Sequence, residues 1–455
     1  MKRVCHIFLI ILVLGINTFS ADGRWRDLFD GTDLTGWEVL NGQAKYYVES
    51  GNLVGQTVEG QPNSFLCTKE IFSDFILEYE MKIDEGLNSG VQIRSDSSAD
   101  YLNGRVHGYQ VECDTSSRRW SGGIYDEAGR GWLYPLERNP KGQPAFKNGQ
   151  WNKFRVEVLG NNIRTFVNGV MCADLYDDMA DRGFIGLQVH STGGKKQLAG
   201  KKVCWKNIRI LEAELQEQRS TVDENVPVIN YAANYLSDRE KQQGWKYLWD
   251  GETTNGWRGA GLKEFPEKGW KIENGQLIVM PSREKKATKG GDIITAGKYR
   301  NFELEVDFKM TEGANSGIKY FVNPELNNGA GSTIGCEFQI LDDKIHPDAK
   351  QGIDGNRTLA SLYDLIPARN PNGKKIDQYG WNRARIVVSG AHVEHWLNNM
   401  KMVEYERRTQ TWRDLVAKSK FRDRANFGES EDGHILLQYH GNEVHFRNIK
   451  IRVLE

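Results

Sequence analysis

The sequence repeats itself, in order, over most of its length. Five motifs between residues 28 and 210 return between residues 248 and 451. The pairs are Leu28–Trp37 with Leu248–Trp257, Asn88–Val91 with Asn315–Ile318, Trp151–Val156 with Trp381–Ile386, Gly186–His190 with Leu436–His440, and Lys206–Ile210 with Arg447–Ile451. Each copy spans roughly 200 residues, far more than one solenoid unit, so the repeat predicts two whole domains of one fold. We place the first domain at residues 24–212, the linker at 213–243 and the second domain at 244–455.

Length and charge limit the classes of protein to which the chain can belong. A chain of 455 residues is long enough for two or three domains, each with its own core. The formal net charge is −1, and this lack of basic excess argues against nucleic acid or an anionic membrane as a partner. The sequence therefore predicts neither kind of binding.

The first 20 residues predict a signal peptide. Lys2 and Arg3 precede the apolar stretch Ile7–Leu14, and Thr18 and Ser20 supply small residues before a cleavage site. The apolar stretch is too short to span a bilayer comfortably, so we expect no transmembrane segment. Cys5 lies before this stretch and not at its end, so we expect no lipid anchor. Export to the periplasm or beyond is the prediction.

The cysteine pattern favours neither a disulfide framework nor a zinc site. An odd number would remain after cleavage of the leader, without CxxC spacing: Cys67, Cys113, Cys172, Cys204 and Cys336. Most lie in apolar strand-like segments, where a free cysteine behaves as a small hydrophobic residue. A single disulfide within the first domain stays open.

Alternating apolar and polar residues predict an all-β fold. Phe75–Ile83 and Phe302–Met310 alternate as half-buried strands do. Asn168-Gly169 lies between two such segments and predicts a two-residue hairpin turn. Because many short strands follow one another without intervening helices, each copy is expected to be an antiparallel jelly-roll sandwich. Two segments favour helix instead, Glu212–Arg219 in the linker and Thr409–Lys420, which has no counterpart in the first copy.

One face of two predicted strands carries the main candidate site in each copy. Since alternate residues of a strand share a face, the candidates fall into four pairs: Gln110 with Glu112, Glu337 with Gln339, Gln188 with His190, and Gln438 with His440. An antiparallel sheet can equally well expose such residues to water, and this alternative has a prior of about one half for any single residue. Recurrence of carboxylate, amide and imidazole on one face, twice, favours a polar groove of the size of a sugar.

Cationic and aromatic residues add further candidates. Arg94 and Lys319 follow the Asn-Ser-Gly motifs, which we interpret first as turns and only second as ligands. Three loop residues of the first copy and one of the second could stack on sugar rings or bind hydroxyls, with a packed loop as an equal alternative: Tyr125, Arg130, Trp132 and Tyr363. His395 takes the place of Thr165, and a lone histidine is more often structural than catalytic.

Together these motifs resemble the 3-keto-disaccharide hydrolase family. The resemblance rests on Leu28–Trp37, on both Asn-Ser-Gly motifs, on Glu337–Asp343, on His395–Asn398 and on the Leu-Gln-x-His ending of each copy. It covers nearly all of the chain except the leader and the linker. It implies two concanavalin A-like (laminarinase-like or LamG-like) jelly rolls in tandem, and cleavage of glycosides that carry a ketone at C3.

A C3 ketone acidifies the C2 proton, so the implied reaction needs a base and a group that holds the enolate oxygen. In the first copy Glu112 or His190 would be the base and Arg94 the cation. In the second copy the base would be Glu337, His395 or His440 and the cation Lys319. A divalent metal ion held by glutamate, glutamine and histidine is the alternative to the cationic side chain. The resemblance also implies a sugar 3-dehydrogenase as the enzyme that supplies the ketone.

Three other functions remain open at this stage. A laminarinase-type glycosidase would need paired carboxylates on one strand, and Glu112-Cys113-Asp114 is the nearest match, with Ser117 in place of the last glutamate. A non-catalytic carbohydrate-binding protein would use the same fold. One active domain beside one binding domain is the third alternative.

Overall fold

The computed structural model describes residues 25–281, 291–327, 334–370 and 376–455. The predicted signal peptide lies outside these residues. The chain divides into two compact units. Unit 1 runs to Gly123 and includes Asn139–Ala173 and Ala180–Val226, whereas unit 2 comprises Ile124–Arg138, Asp174–Met179 and Pro227–Glu455. The predicted domain limits, which come from the sequence repeat, stay a prediction.

The described part of the chain consists mainly of strands. Those of the first copy are β1 (Arg26–Asp27), β2 (Trp37–Asn41), β3 (Lys45–Glu49), β4 (Asn52–Gln56), β5 (Ser64–Thr68), β6 (Phe75–Ile83), β7 (Asn88–Asp96), β8 (His107–Asp114), β9 (Ile124–Glu127), β10 (Gly131–Tyr134), β11 (Asn152–Leu159), β12 (Asn162–Val167), β13 (Val170–Tyr176), β14 (Phe184–Val189) and β15 (Lys202–Leu211). The linker carries β16 (Ile229–Asn230) and helix α1 (Asp238–Gln242). Single 3-10 turns lie at Lys196–Leu198 and Leu215–Gln218.

The second copy is built in the same way. Its elements are β17 (Trp245–Tyr247), β18 (Trp257–Gly259), β19 (Trp270–Glu273), β20 (Gln276–Val279), β21 (Ile293–Thr295), β22 (Phe302–Met310), β23 (Asn315–Val322), β24 (Cys336–Leu341), β25 (Asn382–Ser389), β26 (His392–Leu397), β27 (Met400–Glu406), α2 (Gln410–Ala417), β28 (His434–Leu437) and β29 (Val444–Val453). Single 3-10 turns lie at Pro324–Asn327 and Pro347–Lys350.

The two copies have the same order of strands. In the first copy one sheet runs β13-β12-β11-β6-β15-β4-β3, and the sheet of the candidate site runs β8-β7-β14-β5-β2. In the second copy the corresponding orders are β27-β26-β25-β22-β29-β20-β19 and β24-β23-β28-β21-β18. The site strands pair antiparallel in both copies. The predicted all-β fold, two jelly-roll sandwiches in tandem, is confirmed.

The core of the second copy lies between its two sheets. The apolar residues of β22, from Phe302 to Met310, are almost completely buried and share one cluster with Phe338 and Ile340 of β24. The opposite face of β22 differs from the solvated face that alternation suggests. Glu303 and Glu305 are buried there, with Arg385 and Lys450 as ion-pair partners. Burial of these carboxylates is tolerated because each is paired with a cation.

Local sequence explains the turns and the inserted helix. Asn168 and Gly169 both have positive φ, as the predicted hairpin turn between β12 and β13 requires. Asn398 and Asn399 do the same between β26 and β27. Thr409 caps α2 by accepting a hydrogen bond from the Trp412 amide. The predicted helix in this insertion is confirmed.

The linker residues pack on the unit to which they belong. In unit 1 the Ser220 amide donates to the Glu157 carboxylate over 2.7 Å. In unit 2 the buried Glu240 completes the capping box of α1 and accepts from Lys450 Nζ over 2.6 Å. The α-helix favoured by Glu212–Arg219 is reduced to one 3-10 turn. Short helices are marginal without tertiary packing, and none of the residues of this turn is buried.

The five cysteines of the described residues are free, and all but Cys204 are buried. Burial raises the pKa of Cys67, Cys113, Cys172 and Cys336. No helix among the described residues is long and apolar enough to cross a membrane.

Candidate active site

A cavity of about 390 Å³ lies over the β28-β23-β24 part of the second copy. We call it the second-copy pocket. It brings together six of the seven candidate residues that the sequence predicts in this copy: Lys319, Glu337, Gln339, Tyr363, Gln438 and His440. Asn315 of the Asn-Ser-Gly motif also lines the pocket, together with three residues that the sequence did not predict there: Lys420, Phe421 and Arg424.

The Asn-Ser-Gly motif builds the floor of this pocket, and its interpretation as a turn is wrong. Asn315 begins strand β23 and lines the pocket, while Ser316 Oγ donates to the Gln438 carbonyl over 2.9 Å and ties β23 to β28. Gly317 leaves room for the catalytic candidate on β24, because a Cβ there would lie 2.2 Å from Glu337 Oε1. The motif therefore positions both the sheet and the Glu337 carboxylate.

Glu337 and Lys319 face each other from neighbouring strands. Lys319 Nζ lies 3.7 Å from Glu337 Oε2, and both side chains are about 95% buried, with 5% and 6% of their surface exposed. Burial raises the pKa of the Glu337 carboxyl, and the positive charges of Lys319 and Lys420 partly offset that rise. A carboxylate of raised pKa is a stronger base than an exposed one, and an ammonium group stands beside it.

Two glutamine side chains on the same face have unused hydrogen-bonding capacity. Gln339 and Gln438 are buried, yet the Oε1 atom of each lacks a hydrogen-bond partner among the described residues. A buried polar atom without a partner costs stability. Both amides line the pocket, so hydroxyl groups of a bound sugar would satisfy them.

His440 stands at the β28 side of the pocket. Its pKa is lowered by partial burial and by the nearby His346 and Lys319. The imidazole is therefore neutral at neutral pH and can accept a proton. Its ring centroid lies 6.4 Å from that of His346.

A loop that follows α2 forms the other side of the pocket. Tyr363 donates its backbone N–H to the Glu337 carbonyl and thus lies beside β24. Lys420 Nζ stands 3.9 Å from the centroid of the Tyr363 ring. The backbone N–H of Lys420 is fixed by Asp364, which in turn accepts from Arg357. The sequence flagged this insertion as a helix but gave no signal that its end reaches the site.

His395 is a core residue, and its predicted catalytic role is not supported. It is completely buried and pairs with Ile386 on the face of β26 that meets the opposite sheet. His395 Nε2 lies 2.7 Å from the Tyr320 hydroxyl. Burial lowers its pKa to about 4. Tyr320 faces away from Lys319 on β23, so His395 lies beneath the pocket floor instead of in it.

The corresponding face of the first copy carries a closed hydrogen-bond network. Gln92 donates to Gln110 over 2.7 Å, and Gln110 donates to Glu112 Oε2 over 3.1 Å. Asn88 also donates to Glu112, and Arg118 lies 3.4 Å from it. Burial raises the pKa of Glu112 to about 7, with Arg118 as the largest opposing influence. Gln92 occupies the register position that Lys319 has in the second copy.

Gln188 and His190 differ in their surroundings. Gln188 is fully buried, and neither its Nε2 nor its Oε1 has a hydrogen-bond partner within the described chain. Its carbonyl accepts from Ser89 Oγ over 2.6 Å, as the carbonyl of Gln438 does from Ser316. His190 is exposed, with Nδ1 2.8 Å from the Ser191 carbonyl oxygen.

Arg94 does not face the site, and its predicted role as an oxyanion ligand is not supported. A bulge between Ile93 and Asp96 shifts the register, and Arg94 itself has φ +45°. Its buried guanidinium donates to the carbonyls of Ser73 and Gly160 and to Asp74. The second copy has the same bulge, with Phe321 at φ +54°.

The prediction that Tyr125, Arg130 and Trp132 lie in loops is wrong for two of them, because Tyr125 lies in β9 and Trp132 in β10, and only Arg130 lies in the turn between these strands. All three belong to unit 2. Tyr125 and Trp132 pack edge to face, with ring centroids 5.2 Å apart. Arg130 forms a bidentate ion pair with Asp177, at 2.7 and 3.0 Å, and a second pair with Asp126. Its guanidinium is therefore used in holding the loop together, while the two half-buried aromatic rings remain candidates for sugar contact.

A different cavity, of about 450 Å³, lies at the end of β8 in unit 1. Its lining includes Asp114, Arg119, Phe146 and Asn148, and none of the residues predicted for the first site. This cavity therefore does not include Glu112, whereas the second-copy pocket includes Glu337.

Among the described residues, the predicted sites contain no cluster of three acidic, histidine or cysteine side chains that could bind a metal ion. Three such ligand atoms come within 4.8 Å of one another at His392, Glu394 and Glu404. Lys401 already pairs with both of these glutamates, at 3.2 and 2.9 Å. The residues of the second-copy pocket offer only Glu337 and His440 together with amide oxygens.

The family assignment follows from comparison with known proteins. The family model described as 3-keto-alpha-glucoside-1,2-lyase-like domain matches residues 24–211 and again residues 244–452. The chain belongs to this family. The resemblance inferred from the motifs is confirmed, and membership makes the chain a glycoside-cleaving enzyme that acts on carbohydrates.

Individual relatives are carbohydrate-active proteins. The chain is 40% identical over 232 residues to a 3-keto-disaccharide hydrolase of Bacteroides thetaiotaomicron, covering 47% of this chain and 79% of that relative. A solved structure from Parabacteroides distasonis, proposed to be a glycosyl hydrolase, is 26% identical, with a TM-score of 0.41 over 49% of this chain and 100% of that one. A Bacillus subtilis carbohydrate-binding module is 18% identical, with a TM-score of 0.28 over 39% and 96% of the two chains.

Proposed function

We propose that the second copy cleaves 3-keto glycosides by elimination across C1–C2 followed by addition of water. The observation that carries this proposal is the buried pair of Glu337 and Lys319, which places a base and an ammonium group 3.7 Å apart in one pocket. The proton on C2 and the oxygen on C3 of a 3-keto sugar are themselves close neighbours. The two side chains therefore match the two groups on which the reaction depends.

Five residues of the pocket have roles in this reaction. The Glu337 carboxylate removes the C2 proton, and the Lys319 ammonium stabilises the negative charge that develops on the C3 oxygen. The electron pair then expels the aglycone from C1 and leaves a C1–C2 double bond conjugated with the ketone. Water adds to C1, with the neutral His440 as the base that activates it, and C2 regains a proton. The free amide oxygens of Gln339 and Gln438 hold sugar hydroxyls.

An ordinary glycosidase is less well supported by the same pocket. Both retaining and inverting enzymes use two carboxyl groups on either side of the glycosidic bond. Among the residues that line the second-copy pocket, Glu337 alone carries a carboxylate. A divalent metal ion in place of Lys319 is the alternative within the elimination route.

For the first copy we propose carbohydrate binding without cleavage. Gln92 replaces the lysine, and Glu112 is held by Asn88, Gln110 and Arg118. The unpartnered amide of Gln188 remains for a sugar hydroxyl. Two linked sites would increase avidity for an oligosaccharide.

The cellular setting is part of the proposal. The predicted signal peptide supports a periplasmic or secreted enzyme, and the chemistry requires a partner reaction that oxidises C3 of the glycoside. A sugar 3-dehydrogenase in the same compartment would supply it.

The decisive experiment incubates the purified chain with a 3-keto-glucoside and with the unoxidised parent glucoside. We expect release of the aglycone from the ketone alone, and in D2O the recovered sugar should carry deuterium at C2. Release without C2 deuterium would contradict elimination, and release from both substrates would favour an ordinary glycosidase.

The same assay with a chelator shows whether Lys319 or a divalent metal ion stabilises the enolate oxygen. Retained activity supports Lys319, and loss that an added divalent ion restores supports a metal. Failure to release any aglycone from either substrate would refute the proposed function.

A further inference from the structure

The loop that ends the insertion of the second copy brings two cations to the pocket. Lys420 and Arg424 both line it, and Lys420 lies on the side of β24 beside Tyr363, whereas Gln438 and His440 follow β28. Neither side chain has an ion-pair or hydrogen-bond partner among the described residues, although both backbone N–H groups are bonded. The pocket lining thus contains three cationic side chains, counting Lys319, against the single carboxylate of Glu337.

The position of Lys420 is set by contacts with neighbouring residues, although the residue is exposed. Asp364 fixes the backbone of Lys420, and the Tyr363 ring lies under its ammonium group at 3.9 Å. The adjoining Phe421 is buried and also lines the pocket. Two neighbouring carboxylates, Asp348 and Asp364, are already paired with Arg357. Glu337 and Asp364 still act on Lys420 electrostatically, but no carboxylate of the described residues forms an ion pair with either cation.

The first copy has no equivalent of this loop. Its chain passes from the end of β13 at Tyr176 to the start of β14 at Phe184, whereas the second copy inserts α2 and the following loop between Glu406 and His434. The cations belong to a segment that the first copy lacks. A difference of this kind is typical of specificity, because loops on a shared scaffold determine the ligand.

We propose that the second-copy pocket selects 3-keto glycosides whose aglycone carries an anionic group, bound by Lys420 and Arg424. The proposal rests on the proposed function, since it assumes that the ketone-bearing ring lies over Glu337 and Lys319. From there a second ring reaches either the β28 side or the β24 side, and the β24 side is where Lys420 stands, with Arg424 in the same loop and the same pocket lining. The shared chemistry is an anion such as a carboxylate or a sulfate, and both cations suit it.

The test compares aryl 3-keto-glucosides of matched size. The aglycones are 4-carboxyphenyl, 4-sulfophenyl and the neutral 4-carbamoylphenyl, and the measured quantity is the ratio of kcat/KM for each anion to that for the neutral compound. For the wild-type chain at low salt we expect a ratio of about ten or more, expressed mainly in KM, that falls as salt is added. The two anionic arms show whether carboxylate or sulfate is preferred.

The double variant Lys420→Gln with Arg424→Gln should reduce the ratio to about one, and Lys420→Arg should retain it. Arg422→Gln is the matched control, because Arg422 lies in the same loop and does not line the pocket. A wild-type ratio near one, or a double variant that keeps the wild-type ratio, overturns the proposal. If all three aglycones are released equally, only the charge preference fails, whereas release of none refutes the proposed function itself.

Discussion

The two copies share a framework and differ in the charges that it presents. Ser89 joins β7 to the Gln188 carbonyl of β14, and Ser316 makes the equivalent bond from β23 to Gln438. Both β7 and β23 also carry a bulge toward their C-terminal ends. Three residues after this serine, the first copy has Gln92 and the second has Lys319. The glutamate and the glutamine of the neighbouring strand also exchange places, since Glu337 takes the position of Gln110. The comparison indicates that the backbone of the site can be conserved within one molecule while its chemistry changes through a few side chains and one loop.

The surroundings of the two glutamates show what the change achieves. Glu112 is held by hydrogen bonds from Asn88 and Gln110, so its carboxyl group is part of a fixed network. Glu337 has Lys319 as its ion-pair partner and lies in an open pocket. A base has to reach a substrate proton, and Glu337 lines a cavity that a substrate can enter.

Glu337→Gln gives the largest expected effect. Removal of the general base should lower kcat on a 3-keto-glucoside by about 10³-fold, whereas Glu112→Gln should lower it by at most a few fold. Steady-state kinetics of the two variants, made separately in the full chain, measure the difference. Equal losses in both variants would mean that both copies are catalytic and would contradict the proposed difference between them.

Glu112 offers a second contrast, in the pH dependence of stability. Its pKa of about 7 in the folded chain lies above the ordinary carboxyl value of 4.5, so folding favours the protonated form. The stabilisation is fully present below the unfolded pKa and is lost as pH rises through about 7, by about 3 kcal/mol in total. Glu112→Gln should remove this loss, so the variant gains stability relative to wild type between pH 5 and pH 8.

Thermal unfolding of the wild type and Glu112→Gln over that pH range checks the expectation. Glu80→Gln is a suitable control, because Glu80 is a partly exposed carboxyl on β6 of the same unit. Parallel Tm curves for wild type and Glu112→Gln would show that the network keeps Glu112 ionised.

Much of this arrangement could be predicted from the sequence. Alternation along the strands gives the sheets, and the rule that alternate residues share a face correctly places Glu337 with Gln339 in the pocket. The same rule misplaced Arg94, because a bulge adds a residue and turns its side chain to the other side of the strand. The alternation rule cannot detect a bulge that no glycine or proline marks.

Contacts between distant segments were beyond sequence reasoning. His395 is an exception, because it shares a face of β26 with the apolar Val393 and Leu397, so alternation alone could have placed it toward the core. Lys420 reaches the pocket because Asp364 and Tyr363 hold it there, and these residues are far from it in the chain. Such positions depend on tertiary packing, which propensity and periodicity do not encode.

Lys319→Gln sharpens the comparison by giving the second copy the side chain of Gln92. Loss of the ammonium group should lower kcat by about 10²-fold, since one oxyanion-stabilising donor typically contributes that much. KM should change less, because the charge develops only in the transition state. A C2 deuterium-exchange measurement would show whether proton removal is the step affected. Unchanged kcat would exclude Lys319 from the reaction and leave the metal alternative.

His395→Thr gives the smallest expected effect and tests the opposite kind of difference. Thr165 occupies this position in the first copy, so the change makes the two cores alike. Loss of the Tyr320 hydrogen bond and of buried volume should lower the free energy of unfolding by about 2 kcal/mol. Because His395 lies beneath the pocket floor, kcat of the folded variant should stay within about threefold of wild type. Denaturant unfolding and kinetics on the same preparation separate the two quantities, and a fall in kcat comparable to that of Glu337→Gln would restore His395 as the base.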